Sequence, residues 1–173
     1  MTIKAPVAKF IYGDVTINLG TEAVVSVIRD LDYQQLYGDL MVELAKSPCS
    51  RIREAMAGRD KLPDECVTLL AGDSEQEVLR NLLGSEAAQQ NLTHDQIMKL
   101  VNTSATLAME IAGNMESFTQ ADSKALAAVL VGHPDPEVRK AFAGNWQAPK
   151  KLRQGLLKDP DPDVVAAAQS SLD

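Results

Sequence analysis

Pro134-Asp135-Pro136-Glu137-Val138-Arg139-Lys140-Ala141-Phe142-Ala143-Gly144 is the stretch that decides the fold. Asp135 sets a side-chain acceptor just ahead of Pro136, whose fixed φ suits the first helical position. Val138, Phe142 and Ala143 follow at offsets 0, +4 and +5, which makes one apolar stripe along a helix. Gly144 at +6 reads as the residue that closes the helix in a left-handed conformation. A short helix is predicted, capped at its start, apolar on one side and stopped by glycine.

The same arrangement recurs along the chain. Ile52 leads to Gly58, Val78 to Gly84 and Leu107 to Gly113, each anchor six residues before its glycine. Offsets +4 and +5 hold Met56 and Ala57, Leu82 and Leu83, and Ile111 and Ala112. A fifth copy starts at Val164 behind Asp161-Pro162, lacks the glycine and breaks off at Asp173. Ser104 stands where a cap belongs ahead of Leu107. Between anchor helices lies a second, shorter helical stretch: Leu62 to Ala71, Leu92 to Val101, Phe118 to Val131 and Ala148 to Leu157. Each opens with Pro or Thr, natural residues for a helix start. The anchors at 52, 78, 107, 138 and 164 are 26, 29, 31 and 26 residues apart, and the variation falls after the glycine. Four glycines at one offset argue for a repeat rather than a generic bundle.

Residues 7–19 break this rhythm. Lys9-Phe10-Ile11-Tyr12 and Val15-Thr16-Ile17-Asn18 flank Gly13-Asp14, a two-residue hairpin signal of type II′. Pairing Tyr12 with Val15 sets Phe10 opposite Ile17 and Ala8 opposite Leu19, so one face is wholly apolar. A lone hairpin is marginal in water; that face could cap the first helix pair, belong to a disordered tail or form a dimer contact. Thr21 then opens a helix to about Leu31, and a second runs from about Tyr33 to Lys46, with Gly38 as its weak point. The expected organisation is an N-terminal extension with the hairpin over 1–20 and a helical-repeat domain over 21–173. Its units lie at about 21–46, 47–72, 73–102, 103–132 and 133–158, with a terminal cap at 159–173.

The stretch from Pro134 to Asn145, continued by Pro149, Leu152, Leu156 and Asp159, resembles the variant leucine-rich repeat. The Asp-Pro-Asp-Pro-x-Val start is also similar to HEAT-like repeats of the phycobilisome lyase type. The likeness is best over 134–165, good over 47–72 and degenerate over 73–132, where Leu79 and Ala108 replace the arginine seen at Arg53 and Arg139. The resemblance implies an all-α, right-handed α-solenoid of about five helix-pair repeats, with no shared chemistry. A founding type of the variant repeat carries an iron–sulfur cluster on an N-terminal cysteine cluster. This chain has no such cluster, so no cofactor is expected.

Composition fits that reading. Of 173 residues, 45% are hydrophobic but only 4% aromatic, so the core must be built from Ala, Leu, Val and Met, which suits closely stacked helices better than a β-sandwich. The net charge of −7 argues against a whole-protein attraction to nucleic acid or anionic lipid. Two cysteines, Cys49 and Cys66, make no disulfide framework and, 17 apart without a CxxC or paired His, no zinc motif. Cys66 occupies the position of Leu152 in the later unit and reads as a small core residue, whereas Cys49 reads as the more exposed thiol. Met1 to Gly20 lacks an apolar core of secretory length and no run approaches a transmembrane span, so a cytoplasmic protein is expected.

Catalytic signals are sparse. His94 and His133 stand apart with no motif placing a nucleophile or orienting carboxylate beside them, and surface or capping roles are expected. The glycines end helices rather than begin them, so no phosphate-binding loop is formed. Charge is the one uneven feature. Residues 138–158 hold Arg139, Lys140, Lys150, Lys151, Arg153 and Lys158 and no acidic side chain. The corresponding helix starts carry Asp64 and Glu65 in an early unit and His94 and Asp95 in a middle one. Trp146, the only tryptophan, lies in the loop of the basic unit, where the family pattern often has proline. It either packs on the next repeat or is exposed as an anchor beside the basic residues. These seven residues are the candidate partner-binding set. The expected function is a non-catalytic scaffold for a protein partner, such as an acidic segment. The alternative is a nucleic-acid-binding repeat protein using the basic C-terminal unit, which would want aromatic stacking platforms and a broadly basic groove.

Overall fold

All five anchors, Ile52, Val78, Leu107, Val138 and Val164, are completely buried in the computed structural model, which describes residues 8–12, 14–30 and 38–173. The stripe residues at +4 and +5 are buried with them in all four complete copies. The hairpin strands are β1 (Ala8–Tyr12) and β2 (Val15–Leu19). The helices of the first half are α1 (Thr21–Asp30), α2 (Gly38–Ala45), α3 (Ser50–Ala57), α4 (Asp64–Leu70), α5 (Gln76–Leu83) and α6 (Glu86–Asn91). Those of the second are α7 (His94–Thr103), α8 (Ala105–Gly113), α9 (Ser123–Val131), α10 (Pro136–Gly144), α11 (Lys150–Gly155) and α12 (Pro162–Leu172). Short 3-10 turns lie at Met115–Ser117 and Leu156–Lys158. Apart from the hairpin, the described residues contain no strand.

Anchor helices are therefore α3, α5, α8, α10 and α12, and the expected second helices are α4, α7, α9 and α11. Helix α6 was not anticipated. It lengthens the third repeat, as the 3-10 turn at Met115–Ser117 lengthens the fourth, which accounts for the longer anchor spacings. The chain divides into two compact units, one up to Ala87 and one from Ala88 to Asp173, and the division falls inside the third repeat at α6. In the first unit α3 packs against α1 and α5, and α2 packs against α3 and α4. Its core includes Ile28, Met41, Ile52, Met56, Leu70 and Leu82. In the second, α10 packs against both α8 and α12, while α9 and α11 pack against each other and against anchor helices. Its core includes Leu92, Ile97, Leu100, Leu107, Ile111 and Phe142.

The helix starts follow the sequence. Asp135 Oδ1 accepts from Glu137 N at 2.9 Å with Pro136 at the first helical position, and Asp161 Oδ1 accepts from Asp163 N at 2.8 Å ahead of α12. Ser104 Oγ accepts from Leu107 N at 3.3 Å. Thr93 forms a reciprocal capping box with Gln96 at the start of α7.

The helix ends do not follow it. Gly58 has φ −78° and Gly84 φ −75°, and among the described glycines none has a left-handed φ. What closes these helices is a bond from the residue after the glycine to the carbonyl three residues back. Arg59 N reaches Met56 O, Ser85 N reaches Leu82 O, Asn114 N reaches Ile111 O and Asn145 N reaches Phe142 O, at 3.0–3.3 Å. A right-handed tightening of the last turn satisfies the terminal carbonyls without a left-handed residue.

The strand register is the expected one, with Tyr12 opposite Val15, Phe10 opposite Ile17 and Ala8 opposite Leu19. Ile17 is 50% exposed, so this part of the apolar face is not covered. The turn type assigned to Gly13-Asp14 rests on Gly13, and the helix expected from Tyr33 on residues up to 37; both lie outside the described residues.

Two repeats share a polar clamp. Arg53 Nε and Nη2 donate to Asp73 Oδ2 and Oδ1 at 2.6 and 3.0 Å, and Nη1 donates to Ser47 O. Arg139 repeats this on Asp159 at 2.8 and 2.9 Å, with Nη1 on His133 O. Both carboxylates are almost fully buried, and each also accepts the backbone N–H two residues on, from Glu75 and Asp161. The degenerate units lack the arginine, having Leu79 and Ala108, and have Asn102 and His133 where the aspartates stand five residues before the next anchor.

Candidate functional site

The seven candidate residues divide into held and free groups. Arg139 is held by the Asp159 clamp and by the carbonyls of His133 and Pro134, so it joins helix α10 to the loop before α12. Lys140 is half-buried and pairs with Glu137 and Asp163, each at 3.5 Å; these two carboxylates, Glu137 first, hold its ammonium above the usual lysine range. Arg153 is buried, 6% exposed, which corrects its assignment to an exposed binding set. Its Nε donates to Ala148 O at 3.0 Å, Nη2 to Trp146 O at 2.9 Å, and Nη1 to Ser171 Oγ at 2.9 Å and to Ser171 O. The remaining four residues are exposed: Trp146 at 71%, and Lys150, Lys151 and Lys158, which make no ion pair among the described residues.

Sequence alone offered one sign that Arg153 was different. Cys66 aligns with Leu152, so Arg153 aligns with Val67, which is buried in α4. A second repeat-specific residue was missed altogether. Asn145, also buried, donates from Nδ2 to Ala112 O at 3.0 Å and to Glu116 Oε2 at 2.9 Å, while its Oδ1 accepts from Gln147 N at 3.0 Å. An asparagine after a helix-ending glycine reads as an ordinary turn residue, and nothing local announces the long-range bonds.

Helix α11 presents its lysines in an unusual place. Lys150 and Lys151 occupy the first two positions of the helix, where the aligned Asp64 and Glu65 open α4. The partial positive charge at a helix N-terminus favours carboxylates there and disfavours ammonium groups.

Elsewhere in the second unit, an open cavity of about 530 Å³ is lined by Val101, Asn102, Ser104, Ala105, Val129 and His133 among others. Its polar groups serve the backbone: Ser104 Oγ caps α8, and His133 Nδ1 accepts from Asp135 N at 3.1 Å. His94 Nδ1 accepts from Asp122 N at 3.3 Å, which ties the start of α7 to the residue that caps α9. Cys66 is completely buried, and burial pushes its thiol up to about 11, while Cys49 is half-buried with Thr21 Oγ1 3.9 Å from its sulfur. Among the described residues no three His, Cys, Asp or Glu side chains gather as a metal-binding group, and no helix is long and apolar enough to cross a membrane.

No protein-family model, no curated protein and no solved structure matches the chain. The candidate surface therefore stands on its own geometry. It is a turn carrying an exposed indole, followed four and five residues on by two exposed ammonium groups and, about two helical turns later, by Lys158. Chemically it combines a large apolar contact with charge of one sign, and holds no paired nucleophile and base.

Proposed function

We propose that the chain is a non-catalytic helical-repeat scaffold, stacked as an α-solenoid, which binds an acidic segment of a protein partner through Trp146, Lys150, Lys151 and Lys158. The solenoid reading is supported by the order of packing within each unit, where anchor helices meet in sequence order: α3 with α5, with α1 packed ahead of α3, then α8 with α10 and α10 with α12. Repeats that contact their neighbours leave an extended surface for a partner.

The observation that carries the binding reading is the single tryptophan left 71% exposed beside lysines that stand against the helix macrodipole. Core packing does not account for that indole, and helix stability does not account for those lysines. Pairing of Arg139 and Lys140 with acids, and burial of Arg153, reduce the basic window to three free cations. So few free cations on a chain of net charge −7 suit a short acidic peptide better than a polyphosphate backbone.

Trp146 is its own reporter. Its emission should shift on titration with a peptide rich in Glu and Leu, and an oligonucleotide of equal charge should give a weaker response. Replacing Lys150, Lys151 and Lys158 with Glu should abolish the peptide response. The same variant should melt no lower than the parent, because two of the new carboxylates lie at a helix N-terminus. Equal peptide binding by variant and parent would move the functional surface elsewhere, and tighter oligonucleotide binding would favour nucleic acid.

A further inference from the structure

The turn between α10 and α11 is anchored from two directions. Asn145 Nδ2 ties it to Ala112 O of α8 and to Glu116, and Arg153 ties it to Ser171 near the end of α12. Within the turn, Gln147 N and Ala148 N donate to Asn145 Oδ1 and O at 3.0 Å. The carbonyls of Trp146 and Ala148 accept from Arg153 at 2.9 and 3.0 Å. The backbone on both sides of the indole is thus bonded while the ring itself stands in solvent.

Arg153 is an expensive way to fill its position. A buried guanidinium needs hydrogen bonds to offset lost hydration, and here every acceptor is neutral: three carbonyls and one hydroxyl, with no ion pair among the described residues. The aligned Val67 fills the same place in α4 with an apolar side chain. Packing alone would be met by a residue of that kind, whereas a planar fork of donors is what bridges Trp146, Ala148 and Ser171 at once.

We infer that Asn145 and Arg153 are positioning residues that hold the Trp146 turn preformed for its acidic partner; this rests on the reading of that surface as a binding site. A preformed turn spares the partner the conformational entropy of ordering the loop. The inference also makes the last turn of α12 part of the site, through Ser171.

The test is Arg153→Met, which keeps the aliphatic stem at a core position but ends where the guanidinium begins, so the chain should still fold, with a modest loss of stability from the carbonyls left unpaired. Hydrogen exchange of the Gln147 and Ala148 amides in the free protein should quicken by about tenfold or more, while amides inside α10 and α12 keep their protection. Affinity for the Glu- and Leu-rich peptide should fall by about tenfold. If Arg153→Met does not fold, Arg153→Lys, which replaces the fork with one point charge, carries the same comparison. Unchanged exchange in the turn overturns the positioning role, as does faster exchange with unchanged affinity. A parent protein that binds no acidic peptide would instead refute the proposed function, and the exchange data would still report whether Arg153 holds the turn.

Discussion

At the scale of single residues, the clamps of Arg53 on Asp73 and Arg139 on Asp159 show how one repeat is tied to the loop that leads into the next. The bonds from Arg139 hold the Asp159 carboxyl below the usual carboxylate range, against burial. At Asp73 burial is the largest influence and works upward, yet the Arg53 guanidinium and the backbone N–H groups of Glu75 and Ser74 together bring the carboxyl below its usual range. Folded carboxyls that protonate at lower pH than unfolded ones stabilise fully above the unfolded value of about 3.9, and that contribution is lost as pH falls through the lowered folded values. Changing both aspartates to Asn should therefore flatten the fall of unfolding free energy below about pH 5, as followed by urea titration at several pH values. At neutral pH each change should cost about 1.5–3 kcal/mol, the range for hydrogen bonds to charged groups. Glycine gives the opposite expectation. Gly144 lacks a left-handed φ and a Cβ there would meet nothing within 4 Å, so Gly144→Ala should raise stability by about 0.4–1 kcal/mol. A lowered melting temperature would restore a conformational role for that glycine. The glycines are regular in the sequence, but their backbone angles are not legible there, because a right-handed closing turn and a left-handed cap use the same residue at the same place.

Elements were legible wherever an apolar period met a cap. The stripe at 0, +4 and +5 located four anchor helices, and Val164 behind Asp161-Pro162 located the fifth, since burying that stripe is what orients each helix. Alternation and a two-residue loop located the hairpin register for the same kind of reason. Helix α6 was not legible. Its sequence, Glu-Ala-Ala-Gln-Gln-Asn, has good helix formers but only Ala87 and Ala88 on a buried side, and alanines carry little periodic signal. The binding surface was legible only in part. A run of basic residues marks where charge collects, but not which members are exposed; Arg139 and Arg153 turned inward because backbone carbonyls and a carboxylate lie within reach of them. Anchor packing has a direct test. Phe142 is the largest of the fully buried side chains and the only aromatic one on the anchor stripes. Phe142→Ala should cost about 3–5 kcal/mol in chemical denaturation. A cost under about 1 kcal/mol would mean that the stripe in α10 is not the core of its repeat.

At the scale of the whole molecule, the charge pattern works against itself. The chain has 24 acidic and 17 basic side chains, for a net charge of −7, while the proposed surface offers three free lysines. On the proposed reading, an acidic peptide is repelled by the net charge of the molecule and attracted locally at the Trp146 turn. Salt separates the two effects, because screening removes distant charges first: the Debye length is about 30 Å at 0.01 M, 8 Å at 0.15 M and 3 Å at 1 M. At the lowest salt the net charge is felt at long range and slows encounter. Near physiological salt the approaching peptide senses chiefly the local lysines, and at high salt those too are screened. The association rate for the Glu- and Leu-rich peptide, followed by stopped-flow emission of Trp146, should therefore pass through a maximum between 0.01 and 1 M salt. A surface that binds nucleic acid by displacing counterions would instead lose affinity steadily and steeply as salt rises. A rate for the acidic peptide that falls monotonically from the lowest salt would place its docking surface on a broader basic field than Lys150, Lys151 and Lys158 provide.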